Sequence, residues 1–152
     1  MPLPAQIRGR LRIPVFGAPM FVVSGPDLVI EQCKAGVIGS FPTLNARPPE
    51  QLDKWLTRIE TELAQYQREN PHRKVAPYAV NLIVNKANQR LDGDLEVVLN
   101  HKAPIVITSL SAPTKLVPRV HEYGGIVFHD VIKGRHAEKA LEAGVDGLIA
   151  VC

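Results

Sequence analysis

Apolar runs and amphipathic stretches alternate along this chain from one end to the other. Residues 13–18 (IPVFGA), 37–40 (VIGS), 75–81 (VAPYAVN), 105–108 (IVIT), 126–128 (IVF) and 147–151 (GLIAV) are almost uninterrupted apolar blocks. Blocks of this length without polar alternation predict strands of a parallel sheet buried on both faces. The stretches between them carry helical spacing. Leu52, Trp55, Leu56, Ile59, Leu63 and Tyr66 fall on one face of a long helix that Pro48-Pro49 opens and Asn70-Pro71 ends. A first helix starts at Ser24 or Gly25 ahead of Pro26 and stops at Gly36. Leu91, Leu95, Val98 and Leu99 mark a third helix. Leu116, Val117, Val120 and Tyr123 line a fourth, closed by Gly124-Gly125, and Ala137, Ala140 and Leu141 line a fifth, ended by Gly144.

Strict strand and helix alternation implies right-handed crossovers and an α/β fold in one domain, residues 1–152. Two architectures satisfy it, a doubly wound open sheet and a closed (β/α)8 barrel. The open-sheet nucleotide binders need a glycine-rich turn after the first strand. Here that strand runs into Ala18-Pro19-Met20, and no phosphate-cradling loop follows. The barrel is therefore the expected class. A complete barrel takes about 250 residues for its eight units, and this chain supplies about six. The expectation is a TIM-barrel domain incomplete at its C-terminus, with two apolar edges left unpaired.

Composition removes several function classes. The 18 Lys and Arg against 15 Asp and Glu leave a net charge of +3, and the basic residues are scattered. Aromatics are only 5%, so a stacking platform for nucleic acid is not expected. No apolar stretch approaches the length of a membrane span or a signal peptide, which makes a cytoplasmic location and no membrane partner the expectation. The two cysteines, Cys33 and Cys152, form no metal-ligand pair. Cys33 reads as a small buried apolar residue in the first helix.

Chemistry in this class sits at the C-terminal ends of the strands. Those ends are Ala18-Pro19-Met20, Ser40-Phe41, Asn81-Leu82, Thr108-Ser109, His129-Asp130 and Val151-Cys152. Asn81 suits the edge of a planar heterocycle that offers a carbonyl and an N–H. It equally suits a turn in which the amide satisfies its own backbone. His129 and Asp130 have the chemistry of an acid–base pair, yet neighbours on a strand point to opposite faces. The alternative is one satisfied polar group and one helix N-cap, Asp130. Thr108, Ser109 and Ser111 offer hydroxyls for a phosphate or ribityl chain, or ordinary loop hydrogen bonds. His72, His101, His121 and His136 read as surface residues, and none forms an i, i+4 metal pair.

Taken in order, these segments resemble the nitronate monooxygenase (2-nitropropane dioxygenase) family. IPVFGAPM is similar to that family's opening strand, YAVNL to its third strand, and IVFHDV with RHAEKALEAGVDGLIAV to its fifth strand, fifth helix and sixth strand. More distantly, the chain resembles flavin-dependent enoyl reductases and IMP dehydrogenase relatives. The resemblance implies FMN at the mouth of a (β/α)8 barrel and oxidation of alkyl nitronates with O2 to carbonyl compounds and nitrite. Some members instead reduce quinones with a nicotinamide donor. It implies cofactor contacts from Ala18, Pro19, Met20, Asn81, Asp130 and Val151. Asp130 stands where some relatives place a lysine that touches the flavin. The family's catalytic histidine would lie beyond Cys152, so no catalytic residue is expected within the chain. The expected partners are a nitronate or quinone and O2, with a homodimer as an open expectation. A truncated, non-catalytic piece serving in assembly is the reading from a different class.

Overall fold

In the computed structural model, which describes residues 3–151, five strands lie side by side in chain order and all run parallel. The elements are α1 (Pro26–Lys34), β1 (Ser40–Pro42), a single 3-10 turn at Thr43–Asn45, α2 (Gln51–Glu69), β2 (Ala79–Val84), α3 (Leu91–Asn100), β3 (Ile105–Leu110), α4 (Val117–His121), β4 (Ile126–Val131), α5 (Gly134–Glu142) and β5 (Gly147–Ala150). Sequential parallel neighbours joined by helices are the arrangement of an incomplete TIM barrel.

The sheet separates two cores. Phe41, Val80, Leu82, Val106, Val127 and Val131 face the helices and pack with Leu52, Leu56 and Ile59 of α2 and Val29, Ile30 and Cys33 of α1. The alternate positions, Ala79, Ile105, Ile107 and Ile126, face the other way and meet Ile7, Leu11 and Ile38. Phe16, Phe128 and Ile149 pack against this second cluster. Both faces of each strand are thus apolar along most of their length, which explains why the sequence reads as unbroken runs rather than alternation. Helix α1 sits tightly on β1: a methyl group added at Gly39 would stand 2.5 Å from the Val29 carbonyl oxygen. Burial pushes the Cys33 thiol up to about 11, in keeping with an apolar role.

Four sequence expectations shift, the first being that the strand expected at residues 37–40 is found at Ser40–Pro42, with Ile38 forming only an isolated bridge. Residues 13–18 do not form a buried strand. They meet the segment ahead of β1 through one parallel bridge, Phe16 to Ile38, and Ile13 and Val15 stay exposed. The proline at 14 removes one ladder donor, and among the described residues Ile38, ahead of the short β1, is the one bridged partner. The third strand begins at Ala79 rather than Val75, although Val75–Tyr78 is buried as expected. The fourth and fifth strands run past Thr108 and Phe128 to Leu110 and Val131. Cys152 lies outside the described residues. No helix among them is long and apolar enough to cross a membrane.

Candidate cofactor site at the C-terminal ends of the strands

On the inward face, β2, β3 and β4 each replace an apolar residue with a polar one near the C-terminal end. Two positions after Ala79 comes Asn81, two after Ile107 comes Ser109, and two after Phe128 comes Asp130. The strand period of two puts all three on the face that holds the second core. They stand in one row across β2, β3 and β4. The Asn81 amide nitrogen donates to Ser109 Oγ at 2.8 Å and to the Ile107 carbonyl at 3.3 Å. Ser109 Oγ then donates to Asp130 Oδ2 at 2.6 Å. The row therefore has a direction: each hydrogen points toward the carboxylate.

This direction decides what the row can recognise. The Ile107 carbonyl can only accept, which fixes the Asn81 amide with its nitrogen toward β3. Both amide hydrogens are then engaged, and Asn81 Oδ1 accepts no hydrogen bond among the described residues. Asn81 thus offers an acceptor to an N–H and has no donor left for a carbonyl. The heterocycle edge it fits is narrower than the sequence suggested. Asp130 Oδ1 adds a second acceptor, and no cation pairs with Asp130 among the described residues.

The turn-forming alternative for Asn81 does not hold, because its amide bridges to the next strand. Asp130 is not a helix cap either: it lies inside β4, and Lys133 occupies the N-cap of α5. His129 points to the helix side, where Thr108 Oγ1 meets its Nδ1 at 2.8 Å. The two polar neighbours are therefore on opposite faces, and no acid–base pair forms between them. Burial lowers the His129 pKa and keeps the ring neutral. Thr108 belongs to this second pair, so of the candidate hydroxyls only Ser109 reaches the inward row.

Ala18, Pro19 and Met20 form the start of an irregular loop that hydrogen bonds tie to Asn45, just past the C-terminal end of β1, the strand that pairs with β2 at Pro42 and Asn81. Ser24 ties that loop together: its Oγ accepts from the Met20 amide at 2.9 Å and donates to the Ala18 carbonyl at 3.3 Å. Ser24 precedes α1, but Gly25 is the N-cap and the Ser24 side chain turns back instead. Ser40 donates a short hydrogen bond to the Gly17 carbonyl, joining the loop to β1. Met20, Phe21, Val22 and Val23 are exposed, giving an apolar rim. Val151 follows β5, is exposed, and donates its amide to the Val131 carbonyl at 2.9 Å. Ser111, after β3, is exposed as well.

Two histidines expected at the surface have carboxylate partners. His101, at the C-cap of α3, is held between Glu60 and Asp53 of α2, at 3.0 Å from each. Burial pulls its pKa down, but the hydrogen bonds that the ring donates to Glu60 and Asp53 outweigh that and raise it overall. His121 meets Asp146 at 2.8 Å. Among the described residues, no cluster of His, Cys, Asp and Glu could hold a metal ion.

The fold is that of a (β/α)8 barrel carried through its first units. No protein-family profile matches the chain, and no curated protein matches it. Solved structures do. FabK from Thermotoga maritima superposes with a TM-score of 0.76 at 24% identity, over 92% of this chain and 40% of that one. A nitroalkane oxidase from Streptomyces ansochromogenes superposes with a TM-score of 0.76 at 19% identity, over 92% of this chain and 46% of that one. The chain spans less than half the length of each, and at these identities the likeness establishes the fold.

Proposed function

We propose that this chain forms the flavin-ring side of an FMN-dependent oxidoreductase that oxidises alkyl nitronates with O2 to carbonyl compounds and nitrite. The observation that carries the proposal is the inward polar row, Asn81–Ser109–Asp130, set above an apolar floor at the C-terminal ends of the strands. A fold shared with a nitroalkane oxidase supports it.

The residues fit a flavin ring in part. Asn81 Oδ1 is a free acceptor suited to the ring N–H, and Phe128 with Ile107 gives an apolar surface behind it. Ala18, Pro19 and Met20 supply backbone alongside the ring, and Val151 supplies it from the opposite end of the sheet. FMN, when bound, supplies the two-electron acceptor for the nitronate and the donor for O2. The chain's own residues orient the ring and keep one face of it from water. We assign no proton transfer to them, because Asp130 is committed to Ser109 and His129 faces the helices.

One observation favours a second reading. A carboxylate beside the ring opposes the negative charge of the reduced cofactor. That makes reduced FMN a stronger electron donor, which suits an NAD(P)H:quinone or enoyl reductase. Addition of FMN to the purified protein, followed by its visible absorbance and then by nitronate and NADH turnover, separates the readings. Nitrite release with O2 uptake supports the first, and NADH consumption without nitrite supports the second. A protein of 16.7 kDa that binds no FMN leaves a non-catalytic assembly piece. Asn81→Ala should weaken FMN binding by about 1–3 kcal/mol, since the ring N–H loses its acceptor. An unchanged Kd would remove Asn81 from the site.

A further inference from the structure

The loop at Met20–Val23 holds a shape that its own sequence does not favour. Val22 sits at φ 67, in the left-handed region, which a β-branched residue adopts only when its surroundings impose it. All four side chains of this segment are apolar and exposed, so burial does not impose it. The constraint comes from Asn45, more than twenty residues away in sequence. Its Oδ1 accepts from the Val22 amide at 3.0 Å. Its Nδ2 donates to the Met20 carbonyl at 3.0 Å and the Ser24 carbonyl at 2.8 Å. One amide facing two carbonyls and the other end facing an N–H admits a single orientation. Only an amide side chain can satisfy all three groups, because aspartate would set an oxygen against two carbonyl oxygens.

Asn45 is itself braced. It ends the 3-10 turn at Thr43–Asn45, and Arg90 grips that turn from the start of α3. The Arg90 guanidinium donates to the Ala46 carbonyl at 2.8 Å and the Thr43 carbonyl at 3.4 Å. Asp94, nearly fully buried, holds the guanidinium at 2.9 Å. Buried charges persist in a fold only with such partners, so the brace is a fixed point. A rigid chain of contacts therefore runs from Asp94 through Arg90 and the turn to Asn45 and the loop.

We propose that Asn45 is a positioning residue for the cofactor site: it fixes the Met20–Ser24 backbone in the strained form that lies beside the bound ring. The inference rests on the flavin reading above. It gives the strain at Val22 a purpose, since a loop held in advance costs less to order when a ligand arrives.

The test compares Asn45→Ala, Asn45→Asp and Arg90→Gln with the unsubstituted protein. Kd for FMN is read by fluorescence quenching, the bound flavin's visible absorption and circular dichroism bands report ring surroundings, and amide exchange at Val22 and Ser24 reports the loop. Thermal unfolding identifies a variant that fails to fold. We expect Asn45→Ala to speed exchange at Val22 and to weaken FMN binding roughly tenfold. Asn45→Asp should weaken it further, and both should alter the flavin bands. Arg90→Gln, which touches no part of the loop, should move the same readouts in the same direction by less. A role in stability alone would lower the melting temperature and leave the flavin bands of the folded fraction unchanged, and that result would overturn the inference. So would unchanged Kd and exchange in both Asn45 variants. If the unsubstituted protein binds no FMN, the flavin reading falls first and this inference falls with it.

Discussion

Ser109 is the link on which the inward row depends, and its replacement by alanine has a cost that can be worked through. The substitution removes one hydroxyl and leaves two groups without partners. The Asn81 amide, only 4% exposed, loses the acceptor at 2.8 Å and cannot turn to water. An unsatisfied buried donor of this kind costs about 1–3 kcal/mol. Asp130 loses the hydroxyl at 2.6 Å, but its side chain is only partly buried, so water replaces most of that bond. About 0.5–1 kcal/mol is a fair share for it once solvent screening is counted. Ser109→Ala should therefore destabilise the fold by about 1.5–4 kcal/mol, a large part of the stability of a domain this size. Urea unfolding followed by far-ultraviolet circular dichroism measures it, with an unchanged slope confirming that the same surface unfolds. Asp130→Ala should cost less, about 1 kcal/mol. The double variant should cost less than the two summed, by about 0.5 kcal/mol or more, because the residues share one network. A Ser109→Ala protein within about 0.5 kcal/mol of the parent, or strict additivity, would mean that the row is not a connected unit.

Two further outcomes follow from the pairs behind the sheet and at α3. Thr108→Val should cost about 1–3 kcal/mol by stranding the buried His129 ring, and urea unfolding of that variant at neutral pH would show it; no loss would mean that His129 finds another partner. His101 has a folded-state pKa above the unfolded value of about 6.5, so its contribution is fully present below that value and is lost as pH rises through the folded pKa. In His101→Gln the decline of stability as pH rises above about 6.5 should flatten, and parallel pH profiles for the two proteins would refute the assignment.

The helices and the parallel order were legible because their signals are local. Trp55 and Tyr66 lie at helical spacing from Leu52, Leu56, Ile59 and Leu63, and α2 buries that side. The strand ends were less legible. A polar residue after an apolar run reads as the end of a strand, so Thr108 and Phe128 looked like limits. The strands continue because Ser109 and Asp130 satisfy one another across the sheet, which no single segment reveals. The first run failed in the opposite sense: Ile13 and Val15 are apolar without being covered, and hydrophobicity alone does not distinguish these. Of the candidate site residues, Asn81 and Asp130 were chosen by strand position and resemblance, and the structure brings them together through Ser109. Asn45 went unnoticed. Its work is done on backbone groups some twenty residues earlier, and a short turn ahead of Arg47 and two prolines carries no periodic signal.

The two-sided sheet also has a meaning for inheritance. Thr108 and Ser109 are adjacent in the chain, and so are His129 and Asp130, yet each pair is split between the helix side and the mouth. A change at Ser109 or Asp130 acts on the inward row and leaves the Thr108–His129 pair on the helix side in place. A change at Thr108 or His129 does the reverse. Every second codon of β3 and β4 thus writes to a different face of the sheet, so the inward row and the helix-facing pair can be rewritten one without the other.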